Sequence, residues 1–208
     1  MTEPRRALLR ACLALAALSW GSTALSHTPC RASERTSPWY VPAFLKAQTG
    51  GYLGAFTLGT GYVTPGRTME LAAYYGWVPA ALGGVSIHSF AARFGLRAPG
   101  LCIARNWDWV FATGGVGALF TFGEGFFVFV PERYSDRSYY RPTGVRALFT
   151  LGTELNIRQR GSPVVASHAV FVEVTTLDEY LRIWLKSPEA EPFTATLSTS
   201  FGYRIGFH

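Results

Sequence analysis

His88 stands beside Ser89, a pairing that invites acyl-transfer chemistry because an imidazole can take the proton of a serine hydroxyl. Both lie in an alternating segment, Ser86 to Arg97. Phe90, Phe94 and Leu96 share one face there, and Ser89, Arg93, Gly95 and Arg97 share the other. Strand neighbours point to opposite faces, so a regular strand holds His88 and Ser89 apart. His168 sits on the apolar face of a second alternating segment, Val164 to Thr175. His88 belongs to the outer end of its strand and His168 lies deeper, where a bulge turning the ring inward would relieve it.

The second constellation is ionic. Glu70, Arg93, Arg97, Arg146, Glu154, Glu173 and Arg204 all fall on the polar side of alternating segments. Counting across the loop near Leu82 sets Glu70 almost opposite Phe94, so Arg93 is its neighbour. Counting across the turn at Arg160–Gly161 sets Glu173 opposite Leu148 and diagonal to Arg146. Opposite charges at such spacings lower the cost of enclosing either one. The plain reading is an electrostatic plug; the sharper one gives Glu173 and Arg146, with Ser89 and His88, a catalytic or head-group-binding task at a rim. The sequence shows no Cys/His spacing for zinc, no phosphate-cradling glycine loop and no nucleophile elbow, and it calls for no metal or cofactor.

What must position these residues is a set of period-2 strands. From Phe193 to Phe207, one face carries Leu197, Thr199, Phe201, Tyr203, Ile205 and Phe207, and the other Thr196, Ser198, Ser200, Gly202, Arg204 and Gly206. A whole face of small and polar residues suits a barrel strand with lipid outside and a filled or wet lumen. Similar alternation marks Tyr52 to Val63, Thr68 to Val78, and Thr143 to Ile157. Trp107 to Phe122 is strand-like but rich in glycine, and its facing is ambiguous. Trp39 to Lys46, interrupted by Pro42, is a weaker strand. Even strand number in bacterial barrels requires it as the first. The expectation is an all-β, eight-stranded antiparallel transmembrane β-barrel. Turns at 64–67, 98–106 and 158–163 fall in the periplasm, and loops at 79–85, 123–142 and 176–192 fall outside the cell. Side chains fill a barrel of that size.

The N-terminus supports the location. Arg5, Arg6 and Arg10 precede an apolar run from Ala11 to Trp20 and small residues up to Ser26, the layout of a secretory signal peptide over 1–26. Residues 27–38 read as a disordered lead-in, and 39–208 as the barrel. Without residues 1–26, which hold three Arg and one Glu, the 19 basic and 13 acidic residues fall to 16 and 12, a formal charge of +4. An exported chain with no basic run is not a nucleic-acid binder, and a polyanionic lipid surface is the natural partner. Cys30 and Cys102 remain in an oxidising compartment, where they pair or stay free.

Two loops stand out. Thr176 and Glu179 have the spacing of a capping box. Leu177, Tyr180, Leu181, Trp184 and Leu185 continue as the stripe of an amphipathic helix, either in the head-group region with Arg182 and Lys186 outward or folded over the barrel mouth. The long loop joins an apolar run, Phe126 to Val130, to Arg133, Tyr134, Arg137, Tyr139, Tyr140 and Arg141. It suits either the rim or the phosphates and sugars of lipopolysaccharide.

Three resemblances add to this. Ser200, Gly202, Ile205 and Phe207 resemble the C-terminal signal by which the barrel-assembly machinery recognises outer-membrane proteins, although here His208 follows the aromatic. Tyr75-Gly76-Trp77-Val78-Pro79, Gly83-Gly84 and Ile87-His88-Ser89, with Pro131-Glu132-Arg133-Tyr134 and Tyr139-Tyr140, resemble a pattern of small, uncharacterised eight-stranded outer-membrane β-barrel proteins. That resemblance implies the barrel and the location and brings no activity. The chain is more weakly similar to the lipid A deacylase barrels, whose His and Ser lie two apart on one face; neither His88 nor His168 has Ser two residues later. The sequence therefore reads as a Gram-negative outer-membrane barrel with a structural or surface-interaction role, contacting outer-membrane lipids and lipopolysaccharide. An outer-leaflet lipid-modifying enzyme is the alternative. A soluble lipocalin-like barrel would need the apolar faces turned inward.

Overall fold

A computed structural model describes residues 40–123, 125–127, 143–159, 161–187, 189 and 192–207. The expected leader (1–26) and lead-in (27–38) with Cys30, Trp39, His208 and the loop positions Arg133, Tyr134, Arg137, Tyr139, Tyr140 and Arg141 lie outside the described residues.

The chain closes on itself as an antiparallel barrel. In order come β1 (Phe44–Gly50), β2 (Phe56–Val63), β3 (Met69–Val78), β4 (Ile87–Arg97), β5 (Leu101–Ala104), β6 (Trp107–Phe122), β7 (Val145–Arg158), β8 (Val165–Leu177) and β9 (Ser198–Phe207). Each barrel strand pairs with its neighbours in sequence, β4 pairs directly with β6, and β9 returns to β1 from Phe44↔Gly206 to Gly50↔Ser200. Eight strands make the wall. β5 is an extra short strand on the start of β6, inside the 98–106 segment that the sequence presents as a plain turn. Its Cys102 is disulfide-bonded. The turns at 64–68, 98–106 and 159–164 share one end with the start of β1 and the close of β9; the connections at 51–55 and 79–86 and the two longest, after β6 and after β8, share the other.

The first strand begins later than the sequence suggests. It must hydrogen-bond on both sides, to β2 and β9, and Pro42 has no N–H to give. Pairing therefore starts at Ala43, whose N–H donates to the Gly61 carbonyl and whose carbonyl accepts from Phe207. Gly50 and Gly51, at φ 81° and 79°, end it in the left-handed region that glycine enters without penalty.

The strands put polar residues in and apolar residues out. Leu151 is 65% exposed and Phe201 58%, while Glu154 is 2% exposed and Glu173 4%. This is the reverse of a lipocalin-like arrangement. Glycines on the inner face make room for large side chains from the neighbouring, paired strand. A Cβ on Gly59 would lie 2.3 Å from the Tyr74 ring, and one on Gly202 2.3 Å from the Phe171 ring. The facing of β6, unreadable from sequence, is disturbed by a bulge between Val110 and Thr113 that inserts a residue.

Three helical segments occupy the long-loop end. α1 (Ala80–Gly83) is a single turn after Pro79. α2 (Asp178–Lys186) occupies the predicted stripe. A 3-10 turn at Phe193–Thr196 replaces the first residues of the expected last strand, which starts at Ser198. The expected capping box is not made. Thr176 stays in β8 opposite Phe149 with its hydroxyl buried and unpaired among the described residues, and Glu179 turns to Arg146. Among the described residues no helix is long and apolar enough to cross a membrane.

Candidate functional site

Three strands aim four cations into the middle of the lumen, and three aim one carboxylate each. Lys46 comes from β1, Arg93 and Arg97 from β4, and Arg204 from β9. Glu70 comes from β3, Glu154 from β7 and Glu173 from β8. Glu173 receives Arg93 through both guanidinium nitrogens, at 2.7 and 3.1 Å, and Lys46 at 3.2 Å. Glu154 receives Arg97 likewise, at 2.7 and 3.2 Å. Glu70 joins the two halves: Arg204 lies 2.7 Å from it, Arg93 3.4 Å, Lys46 3.5 Å and Arg97 3.8 Å. Arg93 also donates to the Tyr74 hydroxyl. Aromatic faces complete the packing, with Arg204 4.0 Å above Phe44 and Lys46 4.7 Å from Phe171. The space left beside the cluster is about 10 Å³, room for about one water.

The sequence places Glu70 one residue from its true partner, since Glu70 faces Gly95 and Leu71 faces Phe94, yet Arg93 still reaches it. Glu173 and Arg146 do not meet. Glu173 faces Gly152 and Leu148 faces Leu177, because the 159–164 connection shifts the β7–β8 register from a symmetric turn. Glu173 belongs to the lumen cluster, while Arg146 at the long-loop mouth pairs with Glu179 of α2. Ser89 is 5% exposed and inward, on the opposite face from His88. The four residues considered for rim catalysis thus occupy three separate places.

Lys46 is a lumen member that sequence reasoning missed; Tyr74 shares the inner face of β3 with Glu70, as period two places it. Counting back from Gly50 would have found the lysine, because Lys46, Gln48 and Gly50 form a polar and small set opposite Leu45 and Ala47.

Both strand histidines stay on the outer face, one at each end. The Tyr75 hydroxyl lies 2.8 Å from His88 Nδ1 and Ser86 Oγ 3.2 Å from its Nε2, and Trp77 Nε1–H donates to Ser86 Oγ over 3.1 Å. His168 contacts the Tyr203 hydroxyl through Nδ1 and Gln159 Oε1 through Nε2. It sits near the short-turn end rather than deep in the wall, and the β8–β9 irregularity at Val165 to Ser167 leaves it facing out. At the long-loop mouth, Tyr52 stacks on Tyr180 of α2 at 5.3 Å and donates to the Thr196 carbonyl. Burial lifts the Tyr52 hydroxyl above the ordinary tyrosine range, and Tyr180 adds to that.

No group of His, Cys, Asp and Glu among the described residues could hold a metal ion. Compared with known protein families the chain matches none, and no curated protein matches it.

Proposed function

We propose that the chain is a small outer-membrane β-barrel of a Gram-negative bacterium, with a structural or surface-interaction role rather than that of a diffusion pore. The observation that carries this is the inverted wall: side chains such as Leu58, Leu71, Leu151 and Phe201 are each more than half exposed around a bonded ionic centre. Soluble monomers rarely expose a continuous apolar belt, whereas hydrocarbon accepts one, provided the sheet has no open edge. Aromatic side chains at both ends support the reading. Tyr75, Trp77 and Phe122 stand toward the long-loop end, and Trp107, Trp109 and Tyr203 toward the other, as in interfacial girdles.

In this orientation the long loops face the outside and α2 lies at head-group level. Arg182 and Lys186 are there to meet lipid and lipopolysaccharide phosphates, and Tyr180, Ile183 and Leu185 are exposed beside them. Ser200, Gly202, Ile205 and Phe207 serve the barrel-assembly machinery, and the leader directs export. With about 10 Å³ of free space at the ionic cluster, solutes have no open path. The full chain should fractionate with outer membranes, migrate differently on a denaturing gel before and after boiling, and give no steady single-channel conductance in planar bilayers. Recovery as soluble, carbonate-extractable material would overturn the location; stable conductance would overturn the closed lumen.

A further inference from the structure

We propose that Ser86, His88 and Tyr75 form an acyl-ester hydrolase site on the outer wall at the long-loop rim, acting on the carboxylic ester of a membrane lipid. It rests on the membrane reading above for the source of its substrate. Ser86 and His88 bracket the start of β4 two residues apart and so share a face. On β3, Trp77 is the direct cross-strand partner of His88, and Tyr75 lies one step further along the same face. Four polar-tipped side chains therefore converge where the register dictates. The pairing that the sequence advertises, His88 with Ser89, faces two ways; Ser86, two residues before the histidine, is the hydroxyl that meets it.

One of the two neutral tautomers of His88 prepares the serine for reaction. Indole N–H only donates, so Ser86 Oγ accepts from Trp77; in the tautomer with a bare Nε2, the Ser86 O–H donates to that nitrogen. With Nε2 accepting, Nδ1 carries the hydrogen and donates to the Tyr75 oxygen, beneath a tyrosine ring stacked on the imidazole at 6.1 Å and 27°. Tyr75 is the positioning residue: it holds the ring in place and, accepting from Nδ1–H, matches the tautomer that leaves Nε2 as the base. As a neutral acceptor it adds no charge to stabilise the imidazolium, so slow turnover is expected.

The surroundings suit an ester at a lipid interface. Ser86 is exposed, and the space around Gly84 is open, with nothing within 4 Å of where its Cβ would stand. Phe90 packs on Tyr75 at 5.1 Å and on Phe122 at 5.9 Å, giving an acyl chain an aromatic surface that leads down the wall. In the reaction, Ser86 Oγ bonds to the ester carbonyl carbon as its proton passes to Nε2. The carbon–oxygen bond to the alcohol then breaks, and the alcohol leaves with that proton. Water, deprotonated by Nε2, adds to the acyl-serine; the fatty acid departs and Ser86 regains its hydrogen. The net change is ester plus water to acid plus alcohol.

The test uses the full chain folded in detergent micelles, with heat-modifiable migration scoring the barrel separately in every variant. A fluorophosphonate probe should leave an adduct on the Ser86 peptide. Ser86→Ala should abolish it, and His88→Gln should slow labelling by about a hundredfold or more. Tyr75→Phe should slow it less and change its pH profile, and His168→Gln, at the opposite rim, should leave it unchanged. Released fatty acid is then measured from phosphatidylethanolamine vesicles and from lipid A vesicles; release from either supports the site and names its source. A correctly migrating wild-type barrel with no Ser86 adduct and no fatty acid from either vesicle overturns the proposal. So does equal labelling in His88→Gln.

Discussion

Glu70 and Glu179 both bind arginine, at different depths. Glu70, 4% exposed, is shared by Arg204 of β9, Arg93 and Arg97 of β4 and Lys46 of β1. Glu179, with its side chain 33% exposed, meets Arg146 at the mouth and has Arg182 one helical turn away at 3.9 Å. In the lumen, solvent cannot replace a missing partner, so each charge depends on the others. At the mouth, water and salt stand ready to do so. The same functional groups therefore join opposite walls of the barrel in one place and steer a surface helix in the other.

Removing the shared carboxylate should be the most damaging change. Glu70→Gln leaves four cations facing two carboxylates, and losing one partner of a buried ionic set costs about 3–5 kcal/mol. A urea titration in micelles should show that loss, nearly independent of salt. Filling one of the glycine spaces comes next. Gly202→Val would press on the Phe171 ring and the Ala47 carbonyl, an overpacking worth about 1–3 kcal/mol; an unchanged midpoint would mean that Phe171 turns aside freely. The mouth pair is the smallest. Arg146→Ala should cost about 1 kcal/mol or less, and its effect should fade as salt rises, measured as faster proteolysis near α2 at low salt. If Arg146→Ala matched Glu70→Gln in cost and salt response, the contrast between lumen and mouth would fail.

Strand existence and facing were readable wherever alternation is strict. Glu70, Ala72 and Tyr74 on β3, and Arg93 and Arg97 on β4, follow period two with no interruption. Register was less accessible, because it depends on loop geometry. The 159–164 connection moves Glu173 from Leu148 to Gly152, and that shift separates it from Arg146. Bulges hide facing altogether: one extra residue between Val110 and Thr113 reverses the phase of β6 partway along. The α2 stripe was plain from Leu177, Tyr180, Leu181 and Trp184, while its cap was not, because Thr176 is still committed to the sheet. The Ser86–His88 contact has a sequence signal of two residues at a spacing of two. Only the β3–β4 register, which sets Trp77 and Tyr75 beside it, makes that signal distinctive.

The seam between β1 and β9 joins the earliest and latest strands of the wall. A chain lacking β9 therefore holds two unsatisfied sheet edges, and no shorter length can seal itself. Half of the terminal motif, Ser200 and Gly202, then turns toward the lumen, with Ser200 wholly hidden. Whatever could touch those two residues in the open chain loses access to them once the ring shuts.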